Sequence, residues 1–312
     1  MSETSGSPVA RLDVLVTGAS GLVGTALCTA LSTSGHRVRR LVRRSPAGDD
    51  EFRWNPLSGD LDQAAVEGTD CVVHLAGENI AGRRWTRTQK DRLFQSRVEG
   101  TRLLAQTMRS ASRGPAVLVA ASAIGAYGDR GDDELDESCG FGGGFLADLC
   151  RAWEAESRVI EGARTVQLRF GVVLSPEAGA LKKMLLPFRL GVGGRIGHGR
   201  QWVSWLTLDD AVGAIIHALS IENLQGPVNG VVPEPTTNAE FTRTLGRVLA
   251  RPTILPMPAF AARLALGELA DEALLTSQRV IPKRLLETGY NFAYPDLEGA
   301  LRHLLFRKAR RG

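Results

Sequence analysis

The 312-residue sequence predicts an α/β fold, a doubly wound parallel sheet followed by a smaller, mostly helical C-terminal part. Three observations carry this. Short apolar runs alternate with stretches of helical spacing through the first half of the chain, the pattern of β-α units that build a parallel sheet. Near the start, a strand-like run passes directly into three glycines spaced Gly-x-x-Gly-x-x-Gly, and these open an apolar helix. After about Leu174 the alternation stops, and glycine-rich, proline-rich and helical segments replace it.

The first eleven residues are small and polar and lack the apolar core of a signal segment, so they read as a flexible leader. Residues 14–16 form the first buried strand, and residues 22–31 its helix. Between them Gly18 allows the turn, Gly21 lets the backbone approach a phosphate, and Gly24 lets helix pack on strand. Free N–H groups and the helix dipole at such a turn favour a diphosphate. Thr17, Gly18, Ser20, Gly21, Leu22 and Gly24 are therefore the first candidate cofactor-binding residues. The second strand, 38–42, ends in Arg43-Arg44-Ser45 where an NAD site usually carries an acid. Guanidinium forks suit a 2′-phosphate, so the expected cofactor is NADP(H); the plain alternative is a solvated strand end.

Residues 53–59 read as a turn punctuated by Pro56 and Gly59. Residues 71–77 form an apolar strand ending in Leu75, Ala76 and Gly77, small enough for a ribose or flat ring to lie on the backbone. His74 inside that strand reads as a core histidine. Residues 88–108 carry helical spacing in Leu93, Val98, Leu103 and Leu104. A further strand, 116–121, delivers Ser122 to the end of the sheet where open α/β folds bind ligands, and Tyr127 follows in the same loop. An acidic, glycine-rich loop, a helix over 145–161 and a strand over 166–170 complete the alternating part.

Beyond it, 191–199 reads as a flexible loop, 202–206 as a short strand, and Thr207-Leu208-Asp209-Asp210 as a helix start with acids in the first turn. Residues 227–230 look like a late strand, 237–249 an amphipathic helix, 252–258 an extended link, and 259–305 two helical stretches parted by 290–295. The division expected is a leader over 1–11, a nucleotide-binding domain over 12–174 to which 207–232 returns, and a substrate domain made from 175–206 and 233–312.

Composition narrows the partners. The formal charge is +4, from arginines spread along the chain, and the only basic cluster without periodic apolar partners, 307–311, reads as a solvated end rather than a nucleic-acid arm. No apolar run reaches the length of a membrane span. The four cysteines (Cys28, Cys71, Cys139, Cys150) include no Cys-x-x-Cys pair, and no two of the five histidines have metal-ligand spacing. This is a reduced, cytoplasmic pattern without a metal site, and it points to a small-molecule substrate, with no nucleic acid and no membrane; a homodimer stays open.

The motifs Thr17-Gly18-x-x-Gly21-x-x-Gly24, His74-Leu75-Ala76-Gly77, Ser122 with Tyr127-Gly128, and Asp209-Asp210 resemble the extended short-chain dehydrogenase/reductase superfamily. Within it, Gly77-Glu78-Asn79-Ile80-Ala81-Gly82-Arg83-Arg84-Trp85, Ser96-Arg97-Val98-x-Gly100-Thr101 and Trp202-x-Ser204-Trp205 are similar to the atypical NAD(P)-dependent epimerase/dehydratase subfamily labelled "epimerase family protein". The resemblance covers nearly the whole chain after the leader. It implies a Rossmann-type domain binding NADP(H), a small C-terminal domain over the substrate, and hydride transfer between nicotinamide C4 and a carbon bearing oxygen.

In ordinary members a tyrosine, with a lysine one helical turn later, moves the proton, and a serine polarises the carbonyl. In the matching register this chain has Phe145 and Leu149, and Arg97 replaces the usual asparagine. Val203 stands where related sugar-nucleotide epimerases carry a phosphate-gripping arginine, which disfavours a UDP- or GDP-sugar. Ser122 remains from the usual set. Tyr127 is either an acid/base whose pKa Arg97 or Arg130 lowers, or a wall of the pocket. Glu78 and Asn79 fall beside the nicotinamide end. The function expected is an NADP(H)-dependent oxidoreductase or epimerase of a small carbonyl or hydroxyl substrate; the alternative is a non-catalytic NADPH sensor.

Overall fold

The computed structural model describes residues 11–158, 160 and 162–306; all of the leader except Arg11, and the basic cluster at 307–311, lie outside them. The core is an eight-stranded sheet. In chain order its strands are β1 (Asp13–Thr17), β2 (Arg37–Val42), β3 (Glu51–Asn55), β4 (Asp60–Leu61), β5 (Cys71–His74), β6 (Val117–Ala123), β7 (Arg164–Phe170) and β8 (Gly226–Gly230). Across the sheet they lie β8-β7-β6-β5-β1-β2-β3-β4, parallel throughout except for the β3–β4 hairpin at the edge. The chain winds outward from β1 to β2 and β3, then returns to build β5, β6, β7 and β8 on the other side. The order therefore reverses between β1 and β5, and a crevice opens there at the strand carboxyl ends.

Strand alternation explains why both faces are apolar. Val14, Val16, Val73 and Val119 face one way, onto α1 (Leu22–Thr33) and, beyond the sheet centre, α5 (Leu208–Ser220). Leu15, Val72, Leu118 and Ala120 face the other way, onto Leu104 and Met108 of α2 (Arg87–Ser110). Buried parallel strands are expected to be apolar on both sides in this manner. The helix α3 (Phe145–Ser157) lies beside α2 and ends before the expected 161.

A second cluster packs α4 (Gly179–Arg189), α6 (Asn238–Leu249) and α9 (Leu297–Phe306) around Leu174, Trp205 and Val232. Two expectations change here. Residues 51–55 form a strand between β2 and β4, parallel to β2, rather than leading into a turn from 53, and Trp54 is buried in the core at 3 % exposure. The stretch 259–305 is more broken than two helices, with α7 (Ala259–Leu266), a π-turn over Ala270–Leu274, α8 (Lys283–Glu287) and α9. It is stitched to the loop after β6. Arg279–Val280 pairs in parallel with Glu134–Leu135, and Gln278 Nε2 donates to the Ile124 and Gly128 carbonyls. Among the described residues no helix is long and apolar enough to cross a membrane.

Candidate functional site

The glycine turn closes on itself at the reversal point. Gly18 has φ +67°, a left-handed conformation that favours glycine, and its carbonyl accepts the Gly21 N–H at 2.9 Å. A Cβ on Gly24 would stand 2.1 Å from the Gly18 oxygen, and one on Gly18 would stand 2.8 Å from the Leu75 carbonyl carbon and oxygen. Both positions are closed to any side chain. The helix α1 starts just after Gly21 with no side-chain cap and no acid in its first turn, so its leading N–H groups face the crevice unopposed. Ser20 and Gly21 are exposed and Leu22 half-buried, as a phosphate cradle requires.

Beneath the cradle, a hydrogen-bond chain fixes the two strand ends. Thr17 Oγ1 accepts the N–H groups of Leu75 and Ala76, both at 3.1 Å, and contacts His74 Nδ1 at 2.7 Å. His74 Nε2 meets Thr101 Oγ1 at 3.0 Å, and that hydroxyl also donates to the Arg97 carbonyl and accepts the Trp153 indole N–H. Thr101 has one proton, already given to a carbonyl, so His74 Nε2 carries the hydrogen. Its Nδ1 then accepts from Thr17. Full burial pushes the His74 pKa down to about 4, in keeping with this neutral ring. Thr17 thus supports the cradle from below, with its side chain fully buried.

The two arginines after β2 part company. Arg44 forks onto Glu51 at 2.6 and 2.7 Å, and this hydrogen bonding holds the Glu51 carboxyl below its usual range. Arg43 is exposed and, among the described residues, has no hydrogen bond or ion pair. The free guanidinium at this strand end is therefore Arg43; Arg44 is held by Glu51 and the Ser45 carbonyl.

The expected catalytic pair, Ser122 and Tyr127, is buried and hydrogen-bonded to the protein interior. Ser122 shares its strand face with Leu118 and Ala120, and its hydroxyl donates to Glu154 Oε1 of α3 at 2.7 Å with 3 % exposure. The neighbours that alternate to the opposite face, Ala121 and Ala123, have no polar group. Tyr127 is fully buried and donates to Asn229 Oδ1 at 2.7 Å. Burial pushes its pKa up to about 12 and outweighs the Arg169 guanidinium 5.0 Å from the ring. The two cations expected to lower it do other things: Arg130 binds the Tyr127 and Gly140 carbonyls, and Arg97 lies on Trp153. Both hydroxyl protons are committed to buried acceptors in this structure, and burial raises the Tyr127 pKa rather than lowering it. Tyr127→Phe is accordingly expected to cost about 1–3 kcal/mol in urea unfolding, by leaving the Asn229 oxygen buried without its donor, with dinucleotide affinity unchanged.

The carboxylate that holds Ser122 is the centre of a buried ion cluster. Glu154 accepts from Arg169 of β7 at 2.7 and 2.9 Å and from Arg158 at 3.2 Å. The Arg158 bond follows from i,i+4 spacing along the helix, whereas the stronger partner from β7 has no local signal. Phe145 and Leu149, in the tyrosine and lysine register, pack with Trp85, Leu93 and Val98. The C-terminal segment reaches this helix too: the Glu272 carboxylate accepts the N–H groups of Phe145 and Leu146, both at 3.1 Å, and so caps α3.

At the end of β5, Gly77 is exposed and Arg97 packs against it; a Cβ there would meet the guanidinium carbon at 3.2 Å. Glu78 follows, half-buried, its N–H bound to Ser96 Oγ. Around these strand ends lie the glycine turn after β1, the exposed Arg43 after β2, and Arg97 with Glu78 beyond β5.

Comparison with known proteins agrees with this geometry. The model of the NAD dependent epimerase/dehydratase family matches residues 14–229, and a domain of unknown function, DUF1731, matches residues 257–304. The chain is 46 % identical over 295 residues to the epimerase family protein Mb2239 of Mycobacterium bovis, covering 94 % of this chain and 97 % of that one. It is 39 % identical over 296 residues to the human epimerase family protein SDR39U1, covering 94 % and 99 %. A crystal structure of the human protein (isoform 2) with NADPH superposes with a TM-score of 0.89 at 37 % identity, over 95 % of this chain and 100 % of that one.

Proposed function

The chain belongs to the NAD-dependent epimerase/dehydratase family, and from that premise we propose that it is an NADP(H)-dependent oxidoreductase or epimerase of a small carbonyl or hydroxyl substrate, working without the usual Tyr-x-x-x-Lys pair. The observation that carries the reading is the closed glycine turn at the reversal point, with Gly24 against the Gly18 carbonyl and an uncapped helix behind it. Such a turn is shaped for a pyrophosphate, and the free Arg43 supplies the fork that a 2′-phosphate needs. The relative solved with NADPH supports the same cofactor.

In this mechanism the α1 N-terminus holds the pyrophosphate, Arg43 holds the adenosine end, and Leu75, Ala76 and Gly77 give a flat backbone path toward the nicotinamide. When bound, the cofactor supplies or accepts the hydride. Thr17 and the neutral His74 keep β1 and β5 in register beneath it. Glu272 and the 277–280 segment hold the C-terminal part over the crevice and help to exclude water.

A second reading, a non-catalytic NADPH sensor, is favoured by one observation: Ser122 and Tyr127 are buried and bonded, and Phe145 and Leu149 are apolar. A redox assay separates the two. Loss of reduced-nicotinamide absorbance with some member of an aldehyde, ketone and oxo-acid panel supports the enzyme. Tight NADPH binding with no consumption anywhere in the panel supports the sensor.

A further inference from the structure

The charged group at the end of β5 is not accounted for by the fold. Arg97 is half-buried on α2, with its guanidinium on the Trp153 ring, 5.1 Å from the centroid, and against the main chain at Gly77. Among the described residues the guanidinium makes one hydrogen bond, a long one, 3.4 Å from Nη1 to the Leu93 carbonyl of its own helix. The other arginines withdrawn from water are treated differently. Arg169 forks onto Glu154, Arg39 onto Asp13, and Arg164 onto the Leu219 and Leu224 carbonyls. A guanidinium partly removed from water without acceptors is costly, so a fold that keeps one has a use for it. Burial lowers the Arg97 pKa, and the nearby Glu78 opposes that through space without a hydrogen bond to it.

We propose that Arg97 is the substrate anchor of this site, and that it binds a carboxylate carried next to the carbonyl or hydroxyl carbon that exchanges hydride with NADP(H). The proposal rests on the reading above, and it narrows the substrate to a small oxo- or hydroxy-carboxylate. Three features favour this ligand. The guanidinium meets the crevice beside Gly77, which is exposed at the strand carboxyl ends where ligands bind. With its face against Trp153, it offers edge N–H groups, the fork that matches a planar carboxylate. Glu78 close by repels a dianion more than a monoanion, which favours a carboxylate over a phosphate. Once bound, the carboxylate would fix the reacting carbon relative to the nicotinamide. The hydride would pass between the nicotinamide and that carbon. With no tyrosine in the usual register, the proton gained or lost by the substrate oxygen would be exchanged with water in the crevice.

The test is calorimetric titration of the protein–NADPH complex with oxamate, pyruvate and inorganic phosphate, for the wild type, Arg97→Gln and Arg97→Lys. The expected result is saturable binding of oxamate or pyruvate to the wild-type complex. Affinity should fall about tenfold or more in Arg97→Gln and less in Arg97→Lys, which keeps the charge but not the fork. NADPH affinity should be the same in all three proteins. Absence of carboxylate binding to the wild-type complex overturns the proposal. So does equal binding by Arg97→Gln, stronger binding of phosphate than of either carboxylate, or a loss of NADPH affinity in Arg97→Gln, which would give the cation to the cofactor. If Arg97→Gln fails to fold, Arg97→Lys alone must show the drop. If the wild type does not bind NADPH at all, the cofactor reading itself fails, a result visible before any carboxylate is added.

Discussion

Glu154→Ala is expected to lower the unfolding free energy by about 3–5 kcal/mol, enough to unfold a marginal domain near body temperature. Glu154 is 1 % exposed and holds three groups at once: the Ser122 hydroxyl and the Arg169 and Arg158 guanidiniums. Removing the carboxylate strands Arg169 at 2 % exposure with no counter-charge, and one of its nitrogens, Nη1, already lacks a partner. The aromatic faces of Tyr127 and Phe141, each 5.0 Å from the guanidinium carbon, cannot replace an anion. Truncating both members, as Glu154→Leu with Arg169→Met, should cost much less than the sum of the singles, because the loss in either single is mainly an orphaned charge. Urea unfolding of the four proteins measures this. A single-mutant cost under about 1 kcal/mol would mean that the cluster is open to water.

Gly24→Ala is expected to weaken NADPH binding about a hundredfold or more. The new methyl would lie 2.1 Å from the Gly18 carbonyl oxygen and 2.9 Å from the Ala19 Cα, both main-chain atoms that cannot swing aside. The helix α1 must move off β1, and the cradle of N–H groups moves with it. Gly21→Ala is the milder comparison, since its Cβ would sit 3.2 Å from the same oxygen. Fluorescence titration of NADPH should therefore rank wild type, Gly21→Ala and Gly24→Ala in falling order. Equal affinity in the two variants would show that the pyrophosphate is held elsewhere.

What the sequence revealed and what it hid divide by range. The β1 turn, Gly18 to Gly24, is local: strand, glycines and helix follow within a dozen residues, and sterics alone assign their roles. The apolar replacements Phe145 and Leu149 were also visible, since their register follows from one helix, and both pack in the core. The bonding of Ser122 and Tyr127 was not legible. Sequence order puts them at the ligand end of the sheet, but which way Ser122 points depends on strand parity and on Glu154, thirty-two residues away. Tyr127 is bonded to Asn229, a hundred and two residues on, so its burial had no local sign. Arg44 was indistinguishable from Arg43 until β3 brought Glu51 beside it. Glu272 could not be linked to the α3 N-terminus from spacing, because the contact crosses from the C-terminal segment.

The cofactor and substrate roles require an occupied crevice. The most direct measurement is calorimetric titration of the purified wild-type chain with NADPH and, separately, with NADH. The account predicts one saturable site for NADPH and an affinity for NADH at least about tenfold weaker, the difference a charge-assisted fork to a 2′-phosphate provides. No heat from either dinucleotide, or NADH bound as tightly as NADPH, would contradict it.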